Sequence, residues 1–196
     1  MNFYKAIQKR RTNYTITNET TITDARLEEI VMDMVKYTPS SFHSQSSRVV
    51  LLLGEKHKTL WEIVMQTLKA IVPVESFAAT ESKINSFAAG YGTILYFEDQ
   101  DVVKGLQESF PAYKDNFPVW SNQSSGMLQA NIWTALTTEG LGVSLQHYNP
   151  IIDVKVAQTF DIPTSWKLIA QMPFGVAATE SKNLEYKVAG RVRVIK

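Results

Sequence analysis

Apolar and polar positions alternate along this chain with two periods, one of about 3.6 residues and one of about 2, and mark out helices and strands in turn. Phe3, Ala6 and Ile7 fall on one face of a short helix predicted over 2–11. A second helix is predicted over 23–37, with Thr23 as N-cap, Asp24 in the first turn and a stripe of Leu27, Ile30, Val31, Met34 and Val35. Pro39 pushes Thr38 out of helical geometry, so the helix ends there. The apolar run over 48–54 reads as a strand buried on both faces. Leu60, Trp61, Val64, Leu68 and Ile71 stripe the next helix, predicted over 56–72 and stopped by Pro73.

Helical character returns over 81–89, followed by a turn at Gly90-Tyr91-Gly92, a strand over 93–97 and a short helix over 101–109. Pro111, Phe117, Pro118 and Trp120 make 110–121 read as an aromatic-rich connection without regular structure. Ser124 and Ser125 are candidate caps for a helix running to Glu139. Its apolar residues, Met127, Leu128, Ala130, Ile132, Trp133, Ala135 and Leu136, cover most of its circumference. Such a helix is buried, either centrally or against another subunit. Gly140 is placed to end it, and a strand over 141–145 runs into Gln146-His147-Tyr148-Asn149-Pro150. A helix over 152–160, a strand over 166–172 broken by Pro173-Phe174-Gly175, and an alternating strand over 190–195 complete the pattern. The class is α/β or α+β, with helices over a central sheet.

Composition narrows this picture. The 196 residues, 44% hydrophobic and 20% charged, suit one domain spanning 1–196. A net charge of +1 provides no global field for nucleic acid or an anionic membrane, so any anion site is built locally. The absence of cysteine excludes disulfides, thiolate catalysis and cysteine-held metals, and suits a cytoplasmic protein. Met1-Asn2-Phe3-Tyr4-Lys5 lacks the apolar core of a signal peptide, and the longest apolar run, over 49–53, is too short to span a bilayer.

Candidate chemistry is sparse. His43, His57 and His147 form no metal-ligand spacing, and His57, on a helix rich in Lys and Glu, reads as a solvated surface residue. There is no G-x-S-x-G elbow, no dinucleotide fingerprint after Gly90 and no phosphate-binding P-loop. Two features remain. The segment Thr38-Pro39-Ser40-Ser41-Phe42-His43-Ser44-Gln45-Ser46-Ser47 offers hydroxyls, an imidazole and an amide; composition alone makes it a solvated turn. Arg10 and Arg11, followed by Thr12, either offset the dipole at a helix end or clamp a phosphate. With Arg191 and Arg193 at the other end of the chain, they suit a phosphorylated cofactor that carries the chemistry itself.

In this order and spacing, Arg10-Arg11-Thr12, Pro39-Ser40-Ser41-Phe42-His43-Ser44-Gln45, Glu139-Gly140-Leu141-Gly142 and Arg191-Val192-Arg193 resemble the nitroreductase family. The resemblance covers essentially the whole chain and is nearest to the short-chain branch that includes the yeast fatty-acid-repression-mutant-type proteins. It implies an α+β fold with a central, mainly antiparallel sheet flanked by helices, contributing to an intertwined homodimer with one FMN per subunit at the interface. It also implies that Arg10, Arg11, Thr12, Arg191 and Arg193 hold the FMN phosphate, while Pro39, Ser40, Ser41, His43 and Gln45 reach the partner's flavin. Leu145, Gln146 and His147 would lie against the isoalloxazine, one of them facing N5 with a backbone N–H, and Lys83 or Asn85 would meet its pyrimidine edge.

The implied activity is reduction of nitroaromatics or quinones by NAD(P)H, in ping-pong order, with no catalytic side chain because FMN carries the chemistry. The alternatives are a flavin-binding redox-sensing or regulatory protein with weak turnover, and a flavin-free interaction domain whose arginines only cap and solvate. Two departures bear on the site: His43 stands where much of the family has asparagine, and Ser46-Ser47 replaces a frequent proline–tryptophan pair. The short connections leave no room for a large lid, which implies an open or small substrate pocket.

Overall fold

Strand β3 (Gly92–Asp99) is buried along all but its last residue, and the rest of the fold packs around it. A computed structural model describes residues 1–179, 181 and 184–196. β3 pairs on one side with β2 (Ser47–Leu53) and on the other with the long β5 (Trp166–Ala177). β5 also pairs with the two-residue strands β1 (Ile16–Thr17) and β4 (Gly142–Val143), giving the order β1-β5-β3-β2 with β4 beside β5. The pairings between these strands are all antiparallel, as the resemblance implies.

Successive side chains of a strand point to opposite faces, and here both faces are apolar. Ile94 and Tyr96 of β3, with Ala170, Met172 and Phe174 of β5, pack against helix α2 (Asp24–Tyr37) and helix α6 (Phe117–Thr138). Leu95, Phe97 and Leu168 face the other way, onto α3 (Gly54–Lys69), α4 (Phe77–Ala88) and α7 (Asp153–Phe160). Leu128, Ile132 and Leu136, spaced by one helical turn, carry the α6 contact, and each buried side chain of this size contributes about 1.5–3 kcal/mol. The short helices α1 (Phe3–Lys9) and α5 (Gln100–Ser109) complete the set. Thr23 caps α2 as expected, its Oγ1 accepting the Arg26 N–H at 3.3 Å. No described helix is long and apolar enough to cross a membrane.

Several expectations need correction. β2 is an edge strand, half-buried except at Leu52, rather than buried on both faces. α3 stops at Lys69, and the amides of Ile71 and Val72 fold back onto the Leu68 carbonyl. α6 begins at Phe117, because Pro118 lies in the first turn, where a helix has no use for its missing N–H. Ser124 and Ser125 are therefore buried mid-helix residues rather than caps; the Ser124 hydroxyl donates to the Trp120 carbonyl at 3.0 Å. The predicted strand over 190–195 is absent: this segment is exposed and pairs with no sheet edge, and alternation alone cannot make a strand without one.

β5 does not stop at Pro173 but runs on to Ala177. The Pro173 carbonyl accepts the Ser144 N–H at 3.1 Å, so the proline turns its nitrogen toward β4 and away from β3. It has no N–H to return to Ser144, which ends the β4 ladder at Val143 instead of residue 145.

His57 is 1% exposed, not a surface residue. Its Nε2 lies 3.1 Å from the Ala88 carbonyl and its Nδ1 2.8 Å from Thr93 Oγ1, which also accepts from Trp61 Nε1 at 2.9 Å. A carbonyl only accepts, so Nε2 carries the proton, and the chain of donors runs Trp61 to Thr93 to His57 to Ala88. Burial lowers the His57 pKa and keeps the ring neutral.

Candidate functional site

The polar segment after α2 is a tightly wound loop. Pro39 forces Thr38 into extended geometry, and a 3₁₀ turn follows at Ser41–His43. Three residues that are not glycine, Phe42, His43 and Gln45, have φ between 49° and 56°, the left-handed region. Local bonds hold this conformation: the His43 N–H donates to the Ser40 carbonyl, the Ser44 N–H to the Ser41 carbonyl, and the Gln45 N–H to Ser40 Oγ, each at 3.0–3.1 Å. Thr38, Pro39, Ser40, His43 and Gln45 line a cavity of about 560 Å³ whose other side is α2. Ser41 lies in the 3₁₀ turn beside them.

Beneath the loop, Ser46 and Ser47 donate their hydroxyls to the two oxygens of Glu98, at 2.6 and 2.5 Å. This carboxyl group is 1% exposed; burial pushes its pKa up, while the two hydroxyls and the nearby Arg48 oppose the shift. Arg48 pairs with Asp99 at 3.0 Å, donates to the Gln45 carbonyl at 2.6 Å and lies over the Trp166 ring.

The second polar cluster is at the end of α1. Arg10 is the C-cap residue, its guanidinium 4.5 Å from the Trp133 ring. Arg11 Nη1 donates to the Tyr186 hydroxyl at 3.4 Å. Thr12 forms a bridge with Val143, and the Asn13 N–H donates to the Val143 carbonyl at 2.9 Å, so the motif runs beside β4. On its other side β4 lies close against β5 because residue 142 is glycine: a Cβ there would sit 2.8 Å from the Ala177 Cβ. Arg10, Arg11 and Thr12 line a cavity of about 590 Å³, together with Tyr186.

The segment after β4 is gripped by a residue that sequence reasoning missed. Gln171 is fully buried in β5, and its backbone exchanges both bonds with Gln146, at 2.7 and 2.9 Å. Its side-chain Oε1 accepts the Tyr148 N–H at 2.7 Å. A glutamine inside an apolar strand was the available signal. Because the Gln146 N–H is committed to Gln171, strand alternation turns the Leu145 amide to the opposite edge, so Leu145 rather than Gln146 can present an N–H outward. The His147 side chain is exposed, and the Asn149–Pro150 bond that follows is cis.

The remaining candidates are not brought to either cavity. Lys83 is exposed on α4, 6.0 Å from the Phe87 ring. Arg191 donates to the Lys187 carbonyl at 3.2 Å and Arg193 is exposed; the tail reaches the N-terminal arginines through Leu184 and Tyr186 instead.

The donor set present suits FMN. Two guanidiniums and a hydroxyl beside one cavity match a phosphate dianion. Hydroxyls, an imidazole and an amide beside the other cavity match the polar edges of a flavin ring. The two cavities share no lining residue.

Known proteins agree. Residues 7–176 match the model of the Nitroreductase family. Putative nitroreductase HBN1 of Saccharomyces cerevisiae is 37% identical over 180 residues, 90% of this chain and 88% of that protein. Nitroreductase FRM2 of the same yeast is 35% identical over 178 residues, 89% of this chain and 88% of its own. Nitroreductase CinD from Lactococcus lactis, solved with nicotinic acid, superposes with a TM-score of 0.91 at 43% identity, over 100% of both chains; it has also been solved with chloramphenicol and with 4-nitrophenol. Motif order, sheet topology and sequence thus converge: this chain belongs to the nitroreductase family of FMN-dependent oxidoreductases.

Proposed function

We propose that this chain is an FMN-dependent NAD(P)H oxidoreductase that reduces nitroaromatic or quinone-type acceptors in ping-pong order, as a homodimer with FMN at the subunit interface. The observation that carries this reading is the separation of the site into two halves with no lining residue in common. One half suits a phosphate and the other a flat polar ring, so two copies of the chain can complete each other's site. Arg10, Arg11 and Thr12 bind the phosphate, joined by Arg191 and Arg193 from the tail. Pro39, Ser40, Ser41, His43 and Gln45 orient the partner's ring, Lys83 contacts its edge, and the segment Leu145-Gln146-His147 lies along it with the Leu145 amide outward. Bound FMN supplies hydride transfer, so the chain needs no nucleophile of its own. The acceptor class is supported by CinD, whose ligands chloramphenicol and 4-nitrophenol are both nitroaromatics.

Purified protein is expected to be yellow, with flavin absorbance at about 450 nm. Anaerobic NADH or NADPH should bleach it, and 4-nitrophenol or a quinone should restore the colour, with parallel double-reciprocal plots. Colourless protein that takes up no added FMN overturns the reading. Yellow protein that millimolar reductant leaves unbleached points to redox sensing with feeble turnover instead.

A further inference from the structure

The loop that forms the ring-facing wall holds a conformation its sequence does not favour. A residue with a Cβ in the left-handed region costs about 1 kcal/mol or more, and the segment contains three such residues, Phe42, His43 and Gln45, with no glycine. Such strain persists only where the surroundings over-determine the backbone. Two anchors outside the cavity do so here.

The first is Phe42. Its backbone is inside the loop, but its ring turns away from the cavity into an aromatic cluster at the start of α6. The ring centroid lies 4.9 Å from Phe110, 5.2 Å from Phe117 and 6.0 Å from both Tyr113 and Trp120, stacked on the last at 19°. The second is Glu98, whose buried carboxylate takes the hydroxyls of Ser46 and Ser47, the residues that carry the loop into β2. Aromatic pairs contribute beyond their burial, and hydrogen bonds to a charged group are the stronger kind. We propose that Phe42 and Glu98 are positioning residues: one at each end of the strained turn, they hold Phe42, His43 and Gln45 in the left-handed conformation that presents the wall to the flavin ring. The choice of FMN as ligand rests on the function proposed above; the anchoring itself does not.

Phe42 is 50% exposed, so its truncation leaves the core intact and is the variant to test. Hydrogen exchange reads the loop directly in FMN-free protein, through the amides of His43, Ser44 and Gln45, each of which has a bond within the loop. Phe42→Ala is expected to speed their exchange about tenfold, with little change in thermal midpoint. It should raise the FMN dissociation constant by a similar factor, because apparent affinity falls with the fraction of competent loop. Phe42→Tyr, which keeps a ring in the cluster, should restore both values. Ser46→Ala, which removes one hydroxyl from Glu98, should act in the same direction. Wild-type exchange at these amides in both alanine variants, or a lowered midpoint with unchanged exchange and FMN affinity, overturns the proposal. If wild-type protein binds no FMN, the flavin reading fails, and the exchange experiment still decides the anchoring.

Discussion

Replacing Thr93 by valine tests the buried chain from Trp61 through Thr93 and His57 to Ala88. The two side chains have nearly the same shape, so Thr93→Val opens no cavity in a residue that is fully buried. It removes the one oxygen that accepts from Trp61 Nε1 at 2.9 Å and donates to His57 Nδ1 at 2.8 Å. Each buried polar group left unpaired costs about 1–3 kcal/mol, and the added methyl returns about 0.8 kcal/mol, which leaves a net loss of about 3 kcal/mol. At roughly 2–4 °C per kcal/mol for a chain of this length, the thermal midpoint should fall by about 6–12 °C. Urea unfolding at one fixed protein concentration is the assay, since assembly shifts apparent stability by mass action. A loss below about 0.5 kcal/mol would show that Thr93 does not satisfy both neighbours, and the donor order would then be wrong.

The same node predicts a pH dependence. The folded-state pKa of His57 is held below its ordinary value of 6.5 by burial, so the unfolded chain takes up the proton first as pH falls. Its contribution to stability is complete above that value and is lost as pH drops from there toward the folded pKa, by at most about 1.4 kcal/mol per pH unit. Changing Arg10 and Arg11 together to alanine should weaken FMN binding by about 10²–10⁴-fold, at about 1.5–3 kcal/mol for each charge-assisted contact, with circular dichroism unchanged; FMN titration measures it, and unchanged affinity would refute the phosphate role. Gln171→Leu should free the backbone at Tyr148 and alter the visible spectrum and reduction rate of bound flavin, read by anaerobic stopped-flow. A wild-type spectrum and rate would show that the grip of Gln171 does not reach the ring.

Local pattern carried much of the fold. The stripe of α2, its Thr23 cap and the stop at Pro39 could be read because each depends on residues within a few positions. The polar loop and the arginine motif were legible as chemistry, and the structure gives each its own cavity. What stayed hidden depends on distant partners. His57 looked solvated because Thr93 and Ala88, which satisfy it, lie more than 30 positions away. Glu98 gave no sign of its role in the local pattern, because Ser46 and Ser47, which hold its carboxyl group, lie more than 50 positions away. Pro118 and Pro173 misled for a shared reason: a proline breaks regular structure only where its N–H would have been used. The tail over 190–195 misled in the opposite sense, since its alternation is real but no described sheet edge receives it.

Pro173 has a consequence beyond strand length. An ordinary residue there would offer Ser144 the reciprocal bond and let β4 zip along β5 toward Gln146, making a routine sheet margin. With proline in that place the pairing lapses for one step and resumes only at Gln146 and Gln171. The chain between is tethered at both ends yet not absorbed into the ladder. One imino acid thus acts as a terminator written into the opposite strand: it withholds the donor that the Ser144 carbonyl would have met and breaks the ladder in the middle of an otherwise continuous register.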